Sequence, residues 1–187
     1  VFGVPGESYL PVLDALFDAG DRLAFVTCRQ EGGAATMAEA YGKLTGRPGV
    51  ALVTRGPGAA NAAIGVHTAM QDSTPMLLLV GQVDADGADR EAFQEIDYRR
   101  MFGGVAKWAA QVDRTERIPE YLSRAFVTAM SGRPGPVVLA LPEDVLAARA
   151  VAPDLPCAMP VAAAPADADV ATANALLAGA ARPLLLV

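Results

Sequence analysis

The chain has 187 residues, 52% of them hydrophobic, and a formal net charge of −6. That length and apolar share suffice for one α/β domain with a core and the start of another, while an acidic balance without any Lys/Arg cluster excludes nucleic acid and anionic membrane surfaces as partners. No apolar run approaches the roughly 20 residues that cross a bilayer, no metal-ligand spacing occurs, and two distant cysteines, Cys28 and Cys157, without a C-x-x-C read as reduced packing thiols of a cytoplasmic protein.

The apolar opening VFGV runs into a turn, Gly3-Val4-Pro5-Gly6. Tyr9, Leu10, Val12, Leu13, Leu16 and Phe17 then recur at helical spacing, which predicts a helix over 8–19 with Ser8 as N-cap and Gly20 as its stop. LAFVTC (23–28), GVALVT (49–54) and MLLLVG (76–81) are near-continuous apolar runs, as expected of parallel strands covered on both faces. Helix-like stretches lie between them, at 31–44 with a stop at Gly46, and at 58–70, an Ala-rich segment suited to close packing. Further on, the pattern predicts a helix over 118–130 and a strand, PVVLAL, at 136–141. Such alternation predicts an α/β fold, a multiply wound, mostly parallel sheet with helices on both faces. In sheets of this kind ligands bind beyond the carboxyl ends of the strands.

A first domain is expected over 1–146. Residues 147–166, rich in Ala and Pro without periodicity, read as a linker. The remainder, 167–187, carries a helical pattern at 170–180 and a strand-like one at 182–187, and reads as the start of a second domain. The sequence opens on one apolar strand and closes on another, so a piece of a longer polypeptide is expected.

Three strand-to-helix turns are chemically unusual: Gly3-Val4-Pro5-Gly6, Arg29-Gln30-Glu31-Gly32-Gly33, and Thr54-Arg55-Gly56-Pro57-Gly58 followed by Asn61. All three should open on one edge of the sheet. Glycine in a helix costs about 1 kcal/mol relative to alanine, so Gly32 and Gly33 imply a close approach to the backbone or a positive φ. Glu31 has a plain explanation, an acidic residue worth about 0.3–1 kcal/mol against the helix dipole; the flanking glycines and the companion turns argue for a chemical one. GPGAAN invites a dinucleotide reading, but Asn61 replaces the third glycine and Pro57 has no N–H for a pyrophosphate. His67, the only histidine, lies mid-helix among alanines and reads as a satisfied structural residue rather than a catalytic base.

The ordered set VFGVPGE, RQEGGAATMAEAYGKLTGRPGVALVTRGPGAANAAIG, QDSTPMLLLVGQV, REAFQEID and SGRPGPVVLALPEDV resembles the acetolactate synthase-like, thiamine diphosphate-dependent enzymes. The likeness is to their N-terminal pyrimidine-binding domain over 1–145; residues 166–187 resemble the opening of the family's middle domain. It implies decarboxylation of a small 2-oxo acid, pyruvate or a relative, and transfer of the two-carbon unit. It also implies that Glu31 contacts N1′ of the cofactor's aminopyrimidine and relays a proton that favours the imino form, the base for C2 carbanion formation. A dry pocket that raises the carboxyl pKa would serve that task, and Gly32 and Gly33 would let the flat ring reach it. By the same resemblance Pro5, Gly6 and Gly32 border the pyrimidine, Gly56, Pro57, Gly58 and Asn61 lie beside the cofactor, and Gln82, Phe93, Gln94 and Lys107 border the substrate side.

There are departures from the family. Its Arg-His-Glu-Gln pattern reads here Arg29-Gln30-Glu31-Gly32, which bears on the substrate rather than on the glutamate's task. The Gly-Asp-Gly stretch and following Asn pair that hold Mg2+ and the diphosphate do not occur in the sequence. Mg2+ is therefore expected on a C-terminal domain outside it, the chain alone is expected to be inactive, and a homodimer or homotetramer with the site at a subunit interface is implied. FAD binding stays open, because it would belong to the middle domain. Two readings from other classes stand beside this one: a non-catalytic scaffold or regulatory copy of the domain, and a plain dinucleotide-binding module.

Overall fold

The computed structural model describes residues 1–153, 155, 159–160, 163–184 and 186. Six parallel strands form one sheet in the order β2-β1-β3-β4-β6-β5, with β1 Phe2–Gly3, β2 Val26–Thr27, β3 Gly49–Val53, β4 Met76–Gln82, β5 Trp108–Gln111 and β6 Pro136–Pro142. The helices are α1 Leu10–Ala19, α2 Glu31–Thr45, α3 Pro57–Gln71, α4 Tyr98–Phe102, α5 Ile118–Met130, α6 Glu143–Ala147 and α7 Asp167–Gly179.

Side chains of the central strands alternate between two cores, as the two-residue period of a strand requires. Ala51 and Val53 of β3, Met76, Leu78 and Val80 of β4, and Val138 and Ala140 of β6 pack with α2, α3 and α4. Leu77, Val137 and Leu139 point the other way, against Ala125 and Ala129 of α5. Buried on both faces, these strands need no polar residue, which is why they appear in the sequence as unbroken apolar runs.

The layering follows from strand order. Crossovers between parallel strands are right-handed, so connections stepping toward β5 (α2, α3 and α4) lie on one face. Those stepping back, α1 and α5, lie on the other. The chain thus leaves β1 in one direction and β3 in the opposite one, although the two strands are neighbours. The point between their carboxyl ends is the switch point, where doubly wound sheets form the crevice that binds ligands.

Three expectations need correction. The run at 23–28 yields only a two-residue strand, because β2 is an edge whose sole partner, β1, offers two residues (Phe2↔Val26, Gly3↔Thr27). Val26 is 44% exposed, so this strand is not covered on both faces. Ser8 does not cap α1: it lies in a 3-10 turn, Glu7–Tyr9, and its hydroxyl shares a hydrogen bond with Thr54 Oγ1 at 2.9 Å. The described part of 182–187 contains no strand; 185 and 187 lie outside the described residues, as does Cys157. The helices at 31–45, 57–71 and 118–130 match the expected ones to within a residue or two.

Candidate active site

Two turns form the walls of the crevice. On the β1 side, Gly6 lies so close to Thr54 that a Cβ there would come within 2.7 Å of Thr54 Cβ. On the β3 side, Gly56 has φ of +62°, a left-handed conformation suited to glycine. A Cβ at Gly56 would also sit 2.7 Å from Gln94 Cβ. Its amide N–H donates to the Tyr98 hydroxyl at 2.8 Å. Pro57 follows at the first turn of α3, where the missing N–H is no loss. Pro5 and Pro57 are both exposed at the rim.

Glu31 opens α2 beside these walls. Gln30 caps the helix, its side-chain oxygen accepting from the Gly33 amide at 2.8 Å. That cap leaves the Glu31 carboxylate free to turn toward α3, where Asn61 Nδ2 donates to its Oε2 at 3.0 Å. Gly58 lies beneath: a Cβ there would come to 3.5 Å from Glu31 Oε1. Glu31 is half-buried. Burial first, and the nearby Glu31 charge second, push the Tyr9 phenol well above its usual range. Its hydroxyl donates to the Val4 carbonyl. Gly32 is buried between the helices, and a Cβ there would meet Gln30 Oε1 at 2.8 Å and Asn61 O at 3.1 Å. Close approach of α2 to α3 therefore accounts for this glycine within the chain itself.

Other expected site residues divide by location. Phe93 is 73% exposed near the same edge, and Gln94 adopts a left-handed φ of +65° against Gly56. Gln82 is buried and its amide is engaged at both ends: Nε2 donates to the Ile96 carbonyl at 2.8 Å and Oε1 accepts from the Val83 amide at 3.0 Å. Gln82 also lines a cavity of about 570 Å3 between the 88–99 segment and the ends of β4, β5 and β6, which Glu31 and the glycine turns do not reach. Lys107 is not brought to this edge at all. It precedes β5, at the amino ends of the strands, and its Nζ donates to the carbonyls of Thr128 and Ser131, closing α5. His67 is exposed on α3, nearly two turns beyond Asn61, with no hydrogen bond from its side chain among the described residues. No group of three or more His, Cys, Asp or Glu placed to hold a metal occurs among the described residues.

Sequence reading missed three participants: Arg55, Glu7 and Glu143. Arg55, 8% exposed, bonds both carboxylates and the Phe93 carbonyl. The available signal was a charged residue close behind an unbroken apolar strand, twice (Arg55 two residues after β3, Glu143 directly after β6).

A parallel sheet with a glycine-walled switch point and an oriented glutamate at a helix start defines a class of cofactor-binding domain. The chain belongs to the family described as "Thiamine pyrophosphate enzyme, N-terminal TPP binding domain", which matches residues 1–101. Among similar proteins, the mitochondrial acetolactate synthase catalytic subunit of Saccharomyces cerevisiae is 44% identical over 148 residues, 79% of this chain and 21% of that protein. Acetolactate synthase isozyme 3 large subunit of Escherichia coli K12 is 46% identical over 146 residues, 78% of this chain and 25% of its own length. Isozyme 2 large subunit from the same organism is 39% identical over 188 residues, covering 100% of this chain and 34% of the relative. The chain thus spans a fifth to a third of the length of these relatives. No helix among the described residues is long and apolar enough to cross a membrane.

Proposed function

We propose that this chain is the pyrimidine-binding part of an acetolactate synthase-like carboligase that takes a small 2-oxo acid, with Glu31 as the group that exchanges a proton with the cofactor. One observation carries the reading: the half-buried Glu31 carboxylate turns toward α3, where Asn61 holds one oxygen at 3.0 Å and the other lies over Gly58 of the β3 turn. The residues present fit thiamine diphosphate. One carboxylate oxygen is already oriented, the other lies over Gly58 where no side chain intrudes, and the exposed rim of Pro5, Pro57 and Gly33 leaves room for a flat ring.

When bound, that cofactor supplies a nucleophilic carbon for attack on the carbonyl of the 2-oxo acid. Glu31 holds a proton at its free oxygen for a ring nitrogen, and Asn61 fixes the carboxyl plane. Gly56 and Gly58 permit close approach, and Phe93 and Gln94 border the mouth from which substrate enters. Mg2+ and the diphosphate fall to a part of the polypeptide beyond this chain, so the chain by itself is inactive. Met37, Tyr41 and Leu44 form one exposed apolar stripe on α2, and Ile64 is 66% exposed on the adjoining α3. That patch supports burial against a second copy, in a homodimer or a larger assembly.

The test is Glu31→Gln in the full-length enzyme, a change that keeps the shape and the Asn61 bond but removes the exchangeable proton. Thiamine-dependent turnover should fall by about 10²–10⁴-fold, the usual worth of a positioned acid–base group, with the melting temperature unchanged. Undiminished thiamine-dependent turnover would overturn the catalytic reading of Glu31. Micromolar binding of nicotinamide or flavin nucleotides to the crevice in place of thiamine diphosphate would favour a dinucleotide module.

A further inference from the structure

The turns that wall the crevice are tied to one another by a single buried cation. Arg55 lies two residues past the end of β3, with its side chain 10% exposed. Its Nε donates to the Phe93 carbonyl at 3.1 Å, Nη2 to Glu7 Oε1 at 3.2 Å, and Nη1 to the Glu143 carboxylate. Its backbone N–H reaches the Ser8 hydroxyl at 3.3 Å, and Ser8 in turn bonds Thr54. One residue thereby ties its own turn after β3 to three segments 38, 48 and 88 residues away: the Phe93 segment, the turn after β1 and the start of α6.

Withdrawing a guanidinium from water is costly, and the pairing offsets that cost only when geometry is good and the remaining donors are used. Arginine meets this condition because its rigid planar fork can serve several acceptors in fixed directions, which a lysine ammonium cannot. The acceptors are not placed at random. Glu7 follows Pro5-Gly6, Phe93 precedes Gln94, and Arg55 itself precedes Gly56. The bonds to Glu7 and Phe93 therefore each fix a residue adjacent to one that forms the wall or rim of the crevice, while Glu143 holds the guanidinium from the start of α6.

We propose that Arg55 is a positioning residue that sets the spacing of the β1 and β3 turns and locks the Phe93–Gln94 segment against them, with Glu143 as its counter-ion. This inference rests on the proposed reading of the crevice as the cofactor site. Arg55 touches neither cofactor nor substrate; it acts through Gly6, Gly56 and Gln94. A residue that only stabilised the fold would, when changed, lower the folded fraction and so the apparent kcat, leaving the affinity of the folded fraction for cofactor untouched. A positioning residue shifts the affinity itself.

The experiment is titration of the full-length enzyme with thiamine diphosphate and Mg2+, with kcat and KM measured alongside, for wild type, Arg55→Met, Glu143→Gln and the double variant. Arg55→Met should raise the cofactor Kd at least tenfold, with a smaller drop in kcat at saturating cofactor. Glu143→Gln, altering a side chain that is 42% exposed, should fold and raise Kd at least threefold. The double variant should be no worse than Arg55→Met, because both remove one coupled unit. Wild-type Kd in a folded Arg55→Met overturns the proposal, as do effects that simply multiply in the double variant. Should Arg55→Met not fold, Glu143→Gln decides alone, and wild-type Kd in that variant overturns the proposal. Failure of the wild type to bind thiamine diphosphate is a different result, which would strike the cofactor reading and not the latch.

Discussion

A methyl group added at Gly33 would find nothing nearer than Gln30 Oε1 at 4.0 Å, and the residue is exposed on the first turn of α2. Packing within the chain thus explains Gly32 but gives no reason for Gly33. Gly33→Ala should therefore stabilise the domain, by about 0.5–1 kcal/mol in chemical denaturation, through reduced backbone entropy of the unfolded chain. In the full-length enzyme the same change should weaken thiamine diphosphate binding, if the space over Gly33 is kept for the ring. Gain of stability without loss of affinity would count against that use. Asn61→Ala deletes a bond to a carboxylate, a type worth about 1.5–3 kcal/mol, and turnover should drop by about ten- to a hundredfold with the fold intact. Glu31 stood out in the sequence because a carboxylate followed at once by two glycines at a helix start is a local anomaly. Arg55 did not, since its three partners stand 38, 48 and 88 residues away and leave no trace in local pattern. Ser8 misled for a related reason: a serine ahead of a helix matches a cap, yet tertiary contact with Thr54 takes its hydroxyl.

Helices α2 and α3 carry the proposed site between them, and their separation is set by small residues. Gly65 of α3 is buried so close to α2 that a Cβ there would lie 2.5 Å from Ala35 Cβ. Two effects compete in Gly65→Ala. Helix propensity favours alanine by about 1 kcal/mol, whereas overpacking costs roughly 1–3 kcal/mol. The clash is with a fully buried neighbour on a rigid helix, so packing should win and the midpoint of denaturation should fall. Because Glu31 sits on one helix and Asn61 on the other, activity should fall more than stability. Long periodic helices were the legible elements, since many residues vote for the same period. The stretch between β4 and α5 was not read: α4 and β5 have five and four residues, too few to show a period, and the apolar part of WAAQ is too short to mark a strand. β2 was overread because a buried strand and an apolar edge look alike until the partner strand is known.

At the scale of the whole molecule, a parallel sheet with helices on both faces was legible as a class, but neither the strand order nor the position of Lys107 was. Its place before β5 puts it on the opposite edge from Glu31, and only the topology shows this. The buried phenols give the molecule an alkaline limit. Burial raises the pKa of Tyr9 and, with smaller opposing effects from the Gly56 amide and Arg55, that of Tyr98. Both stay protonated in the fold at a pH where the unfolded chain has begun to ionise near 10. The native state then binds more protons than the unfolded one, so stability is fully present below that pH and declines as pH rises above it. Tyr98→Phe should flatten the decline between pH 10 and 11 in thermal melts, while lowering stability at neutral pH because the buried Gly56 N–H loses its acceptor. The apolar stripe of Met37, Tyr41 and Leu44 with Ile64 makes a separate prediction: Leu44→Glu with Ile64→Glu should shift the full-length enzyme toward monomer in sedimentation velocity.

Central to all of this is the idea that Glu31 moves a proton on behalf of a bound thiamine ring. Hydrogen–deuterium exchange at C2 of thiamine diphosphate, followed by NMR on the full-length enzyme loaded with cofactor, reads that step without any substrate. Wild-type enzyme should exchange far faster than free cofactor, and Glu31→Gln at full cofactor occupancy should slow exchange by at least a hundredfold. Equal rates in the two proteins would contradict the account.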